Sequence, residues 1–121
     1  MRCKVVLYGD EQTQDYSCFG ELIIFGKYCS LSYDYGLDNC FLSYDGQLLK
    51  HKKSGEIPVE IEFIPNKITF CKIGNGEFSG EIPVYTNSLK VHNCADKLSI
   101  EVVYKLDGEN KRMNISAEGL N

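Results

Sequence analysis

Apolar and polar residues alternate through most of this chain, most plainly in Leu98-Ser-Ile-Glu-Val-Val-Tyr-Lys-Leu106. Strand side chains point to opposite faces with period two, so Leu98, Ile100, Val102, Tyr104 and Leu106 share one face while Ser99, Glu101 and Lys105 share the other. Asp107-Gly108 and a second alternating run, Met113-Asn-Ile-Ser-Ala117, complete a β-hairpin with one buried and one wet face. No segment keeps apolar residues at helical spacing over successive turns, and Gly, Pro or Asx-Gly punctuation recurs throughout. The same rules predict strands at residues 2–8, 16–25, 28–35, 40–44, 47–53, 59–64, 67–73 and 78–86, with 89–92 continuing the last. In the sixth, Val59, Ile61 and Phe63 face inward and Glu60 and Glu62 outward. Gly26-Lys27 and Pro65-Asn66 read as turns, and Asp45-Gly46 as a type I′ turn.

Consecutive strands joined by short turns pair antiparallel with their sequence neighbours, which makes a meander. An open meander of this length exposes two long edges that invite aggregation. The expected fold is therefore all-β: an antiparallel up-and-down meander closed into a barrel of about eight to ten strands. No repeat, low-complexity segment or linker divides the chain, and 121 residues suit a single domain, 1–121.

Composition narrows the function classes. With 43% apolar and 25% charged residues the chain can bury enough surface to offset its conformational entropy. A net charge of −4 offers no basic field for phosphates, so neither DNA nor RNA is an expected partner. The first residues hold only the short apolar run Val5-Val-Leu-Tyr8, too short for a signal peptide or a membrane span, so a cytoplasmic protein with no membrane partner is expected. In that compartment Cys3, Cys18, Cys29, Cys40, Cys71 and Cys94 read as free thiols filling small apolar positions rather than as three disulfides. No Cys-x-x-Cys pair exists, so no metal site and no cofactor is expected.

Three segments carry a family resemblance: Gly26-Lys-Tyr-Cys-Ser-Leu-Ser-Tyr-Asp-Tyr35, Gly80-Glu-Ile-Pro-Val-Tyr-Thr86, and the closing strand from Leu98 to Gly108. They resemble the YwiB-like family of small bacterial proteins, from about Tyr16 to the C-terminus. The resemblance implies a calycin-type, lipocalin-like β-barrel around an axial space, and it implies no agreed activity. This chain departs from the family pattern in a short N-terminal portion and a shortened loop at 72–78.

Eight tyrosines, six phenylalanines and no tryptophan form the feature most relevant to binding. Tyrosine brings apolar area and a hydroxyl, which suits a pocket that must orient a mostly apolar ligand. Tyr33, Tyr35, Tyr44 and Tyr104 are the candidate ligand-binding residues, expected near one end of the lumen; ordinary rim packing with hydroxyls in solvent would explain the same tyrosines. His92 and Cys94 share a strand face, yet no orienting group or oxyanion site accompanies them, so no catalytic residue is assigned. His51, in the basic run Lys50-His-Lys-Lys53, reads as part of a solvated strand face or a lysine-protected edge. Gly74, Gly76 and Gly80 lack phosphate-loop spacing, and Asn114-Ile-Ser116 falls inside a strand.

Two functions fit this reading. The first is a non-enzymatic binding protein holding a small apolar or amphipathic ligand in the barrel. The alternative is a protein–protein interaction module with a filled barrel, binding a protein partner or a second copy through an outer face or an unpaired edge at residues 48–53. The inward sets are mostly large and apolar, which favours a filled or narrow lumen.

Overall fold

The period-two pattern is realised as ten strands in a computed structural model that describes residues 1–9, 16–74 and 79–120. In chain order these are β1 (Arg2–Gly9), β2 (Tyr16–Phe25), β3 (Tyr28–Tyr35), β4 (Asp38–Tyr44), β5 (Leu49–Ser54), β6 (Val59–Phe63), β7 (Ile68–Ile73), β8 (Gly80–Cys94), β9 (Lys97–Leu106) and β10 (Glu109–Gly119). Each pairs antiparallel with its sequence neighbours, and β1 pairs antiparallel with β10 from Cys3 opposite Gly119 to Gly9 opposite Met113. The sheet is thereby a closed barrel with every ladder satisfied. Within residues 48–53, read as a candidate edge, Leu49 to Lys53 instead pair with β4 on one side and β6 on the other. A closed sheet has no edge to offer.

Turn chemistry sets the register. Asp107 (φ 50°) and Gly108 (φ 79°) both take the left-handed region, as a type I′ hairpin requires, and Leu106 pairs with Glu109. Asp45-Gly46 does not form the expected type I′ turn: the connection spans four residues between Tyr44 and Leu49, and only Gly46 has a positive φ. The reason lies in the Asp45 carboxylate, whose Oδ1 accepts the amides of Gln47 at 2.9 Å and Leu48 at 2.8 Å as an Asx turn. Those amides, Leu48 first, hold the Asp45 carboxyl below its ordinary range. The expected strands at 78–86 and 89–92 are one strand, β8, with a bulge between Thr86 and Ser88; Phe78 and Gly76 lie outside the described residues.

Inward positions build one core running through the lumen. Val5, Leu22, Leu31, Leu42, Leu49, Phe63, Val84, Leu98, Ile100, Val102 and Ile115 are all buried to within 2% of complete. Each such side chain contributes about 1.5–3 kcal/mol by leaving water. Phe63 meets Tyr104 edge to face with ring centroids 4.9 Å apart, joining the walls formed by β6 and β9. The six cysteines are unbridged, and Cys3, Cys29, Cys40 and Cys71 are buried among these apolar residues. Among the described residues there is no helix, and so none long and apolar enough to cross a membrane.

Phe63→Ala removes a fully buried ring and is expected to lower the unfolding free energy by about 3–5 kcal/mol. Phe25→Ala, at a position 82% exposed on the outer wall, is expected to change it by less than about 0.5 kcal/mol. Urea denaturation of the two variants beside the parent measures the contrast.

Candidate functional site

Antiparallel closure dictates which residues can meet. In such a barrel the C-terminal ends of odd-numbered strands and the N-terminal ends of even-numbered strands gather at the same end. At that end the packed core gives way to a cavity of about 300 Å³. Its apolar wall includes Leu7 from β1 and Met113 and Ile115 from β10. Its polar groups include Tyr33 and Tyr35 from β3, Cys40 from β4, His51 and Lys53 from β5, Tyr104 from β9 and Lys111 from β10, with Tyr8, Arg112 and Asn114 also on its border.

Three of the four tyrosines proposed from sequence, Tyr33, Tyr35 and Tyr104, line this cavity. Tyr44 does not. It ends β4, an even strand, so it lies four residues along that strand from Cys40, about 13 Å away toward the opposite end. There Tyr44 borders a crevice with no room for a water molecule, against Cys29, Leu31, Leu49 and Leu98. Lateness in a strand means one end of the barrel for β3 and β9 and the other end for β4.

Gly20 admits the close approach of β3 at the centre of the site. It pairs with Tyr33 across β2 and β3, where an added Cβ would fall 2.3 Å from the Ser32 carbonyl oxygen and 3.2 Å from the Tyr33 Cβ. Tyr33, only 5% exposed, reaches past β4 to bring its hydroxyl within 3.1 Å of His51 Nε2 on β5. Burial raises the phenol pKa, followed by the effect of Cys40, so Tyr33 stays protonated. Burial also lowers the His51 imidazole to about 4, with the charge of Lys53 adding to the effect, so His51 is neutral at pH 7. The imidazole is walled in by barrel atoms, yet part of its surface borders the cavity, and this explains how it is both desolvated and accessible.

Above this pair the mouth is framed by ring contacts and ions. Tyr16 and Tyr35 lie with centroids 4.6 Å apart. The Tyr16 hydroxyl donates to the Asp34 carbonyl at 3.3 Å and accepts from the Gly36 amide at 3.4 Å, fixing the β3–β4 hairpin tip that carries Tyr35. Lys53 Nζ sits 5.8 Å from the Tyr35 ring centroid, within cation–π range, and 3.4 Å from Asp38. Lys111 pairs with Glu109 at 3.6 Å.

His51 and Lys53 therefore correct the reading of residues 50–53 as a solvated face. Period two places Leu49, His51 and Lys53 together, and the fully buried Leu49 marks that face as inward; Lys50 and Lys52 project outward to Glu60. Lys111 carries the same signal, in step with Met113, Ile115 and Ala117. His92 and Cys94 both point outward and are exposed, opposite Ser99 and Lys97 respectively.

No family model matches the chain, and no curated protein matches it in sequence. Among solved structures, the crystal structure of ywiB protein from Bacillus subtilis superposes with a TM-score of 0.75 over 99% of this chain and 89% of that one, at 18% identity. The fold is YwiB-like. At that identity the YwiB-like barrel speaks for architecture alone, and the chemistry of the cavity rests on the residues of this chain.

Because His51 has an ordinary value of 6.5 when unfolded and about 4 when folded, the unfolded chain binds more protons between those limits. Its contribution is complete above pH 6.5 and is lost as pH falls toward 4, on the order of 2 kcal/mol after allowance for water in the cavity. Urea denaturation from pH 7 to pH 5 is expected to show this slope in the parent and to lose it in His51→Gln.

Proposed function

We propose that this YwiB-like barrel is a non-enzymatic binding protein that holds one small apolar or amphipathic ligand in the mouth of its lumen. The observation that carries the reading is the cavity of about 300 Å³ at one end of an otherwise filled barrel. A protein that needed only stability would continue its apolar packing to the rim, whereas here the wall turns to tyrosine hydroxyls, an imidazole and two lysines around the remaining apolar surface. Apolar walls with a few convergent polar groups are the usual composition of small-molecule sites, and the volume is at the small end of their range.

The chemistry of the lining favours binding over catalysis. Burial pushes the Cys40 thiol up despite the opposing hydrogen bond from Tyr33, so it is a poor nucleophile beside a neutral histidine. A cytoplasmic location agrees with six unbridged cysteines. Charged side chains such as Lys4, Glu21, Lys52, Lys72, Glu81, Lys90 and Lys105 are exposed around the outer wall, a surface suited to water rather than to acyl chains. A protein-interaction role draws on a different observation: Phe19, Ile23, Phe25 and Phe41 are exposed on the outer wall of β2 and β4, apolar side chains interspersed with Glu21, Ser30 and Ser32 that a protein partner or a second copy could cover.

Native mass spectra of protein purified under mild conditions are expected to carry extra mass that denaturation removes. Met113→Trp, which fills the cavity, is expected to run bare with an unchanged circular dichroism spectrum. A parent that runs bare and takes up no added naphthamide or naphthoate would sink the binding reading, and a dimer mass would favour the outer wall.

A further inference from the structure

His51 is a polar residue set into an apolar layer of the barrel wall. It pairs with Leu42 of β4 on one side and Ile61 of β6 on the other, both buried, and Leu49, which shares its face on β5, is wholly buried. An imidazole there gives up hydration that an aliphatic side chain would not miss, so each of its nitrogens needs a partner. Nε2 has one in the Tyr33 hydroxyl at 3.1 Å. The two rings lie within 18° of parallel with centroids 6.4 Å apart, which suits a hydroxyl meeting the nitrogen near the imidazole plane. Nδ1 has no hydrogen-bond partner among the described residues. It is not sealed in the wall either, since the described side-chain atom that is both buried and unpartnered is Thr86 Oγ1. Nδ1 therefore opens on the cavity that the ring lines.

Which nitrogen carries the imidazole proton follows from the neighbours of the phenol. The Tyr33 hydroxyl has one proton to give and two neighbours to take it, His51 Nε2 and the Cys40 sulfur. A neutral imidazole nitrogen is a strong acceptor and sulfur a weak one, so the proton goes to Nε2, while the Cys40 thiol, kept protonated by burial, can donate in turn to the phenol oxygen. A neutral ring that accepts at Nε2 carries its hydrogen on Nδ1. The relay from Cys40 through Tyr33 thus ends in one N–H donor at the cavity wall. Resting on the ligand-binding reading, we infer that the ligand is an apolar molecule bearing an uncharged acceptor oxygen, a carbonyl foremost, which takes its hydrogen bond from His51 Nδ1–H. The aliphatic wall of Leu7, Met113 and Ile115 receives its body. Water can serve Nδ1 when the ligand is away, and an oxygen carried on an apolar body replaces that water while the body leaves bulk solvent. A ligand without an acceptor displaces the water and leaves the N–H without a partner, which is how the site discriminates.

The test compares methyl naphthyl ketone with isopropenylnaphthalene, in which a methylene group replaces the carbonyl oxygen at nearly the same shape. Nitrogen NMR of histidine-labelled protein at pH 7 is expected to show His51 protonated on Nδ1. Infrared spectra of the bound ketone are expected to show its carbonyl stretch lowered from the value in hydrocarbon solvent, as a hydrogen-bonded carbonyl requires. His51→Phe keeps a flat ring and removes the donor, and fluorescence titration is expected to find the ketone-to-alkene affinity ratio reduced about fivefold or more, with the carbonyl stretch back near its hydrocarbon value. A His51 protonated on Nε2, a bound ketone whose stretch already matches that in hydrocarbon, or an unchanged affinity ratio in His51→Phe overturns the donor assignment while leaving ligand binding intact. If neither compound binds, the cavity is not a site for an apolar ligand of this size and both readings fall. The NMR and infrared measurements use the parent protein, so they decide the matter even if His51→Phe fails to fold.

Discussion

Everything in this molecule depends on the pairing of its first strand with its last. Without the ladder between β1 and β10, two rows of unpaired amides and carbonyls would face water, and the inward faces of ten strands would have no enclosed space to fill. Closure with an even number of strands lets every neighbouring pair be antiparallel, so short turns suffice all the way round. It also sorts residues to two ends. Late positions in odd strands meet early positions in even ones, and the cavity lies where that sorting gathers Tyr33, Tyr35, His51, Lys53, Tyr104 and Lys111.

The two ends of the lumen are built on different terms. Around Tyr44 the side chains interlock with Leu31, Leu49 and Leu98 until no water fits, and that end contributes stability. At the other end polar groups face inward, each carrying a desolvation cost that apolar residues would not. The cost is partly offset within the site, through the Tyr33–His51 hydrogen bond and the ion pairs to Asp38 and Glu109. Gly20 gives up side-chain packing to admit the close approach of β3 at Ser32 and Tyr33. Departures of this sort from apolar packing are gathered at one end of an otherwise regular barrel.

A fold shared with the ywiB protein at 18% identity shows how little of a barrel depends on particular side chains. Alternation, turn residues and an inward set of suitable volume are enough, and many sequences satisfy them. The cavity demands more, because convergent groups on β3, β5, β9 and β10 must agree in position as well as in polarity. The barrel and the lining of its cavity are accordingly separate problems in this chain.

By itself the sequence determined the strands, their antiparallel order and most of the inward positions, since these follow from period-two alternation and local turn chemistry within a few residues of each site. It also singled out Tyr33, Tyr35 and Tyr104. Its local signal failed where a side chain overrode a turn preference, as Asp45 does by capping Gln47 and Leu48. It failed again where composition outweighed periodicity: Lys50-His-Lys-Lys53 reads as a wet basic run until Leu49 is known to be fully buried, which turns His51 and Lys53 inward. Which ends meet was decided only by tertiary closure, which separated Tyr44 from the other three tyrosines and set Lys53 opposite Lys111. Distance across a lumen is fixed by strand order, direction and register around the whole ring, and no window of sequence contains that information.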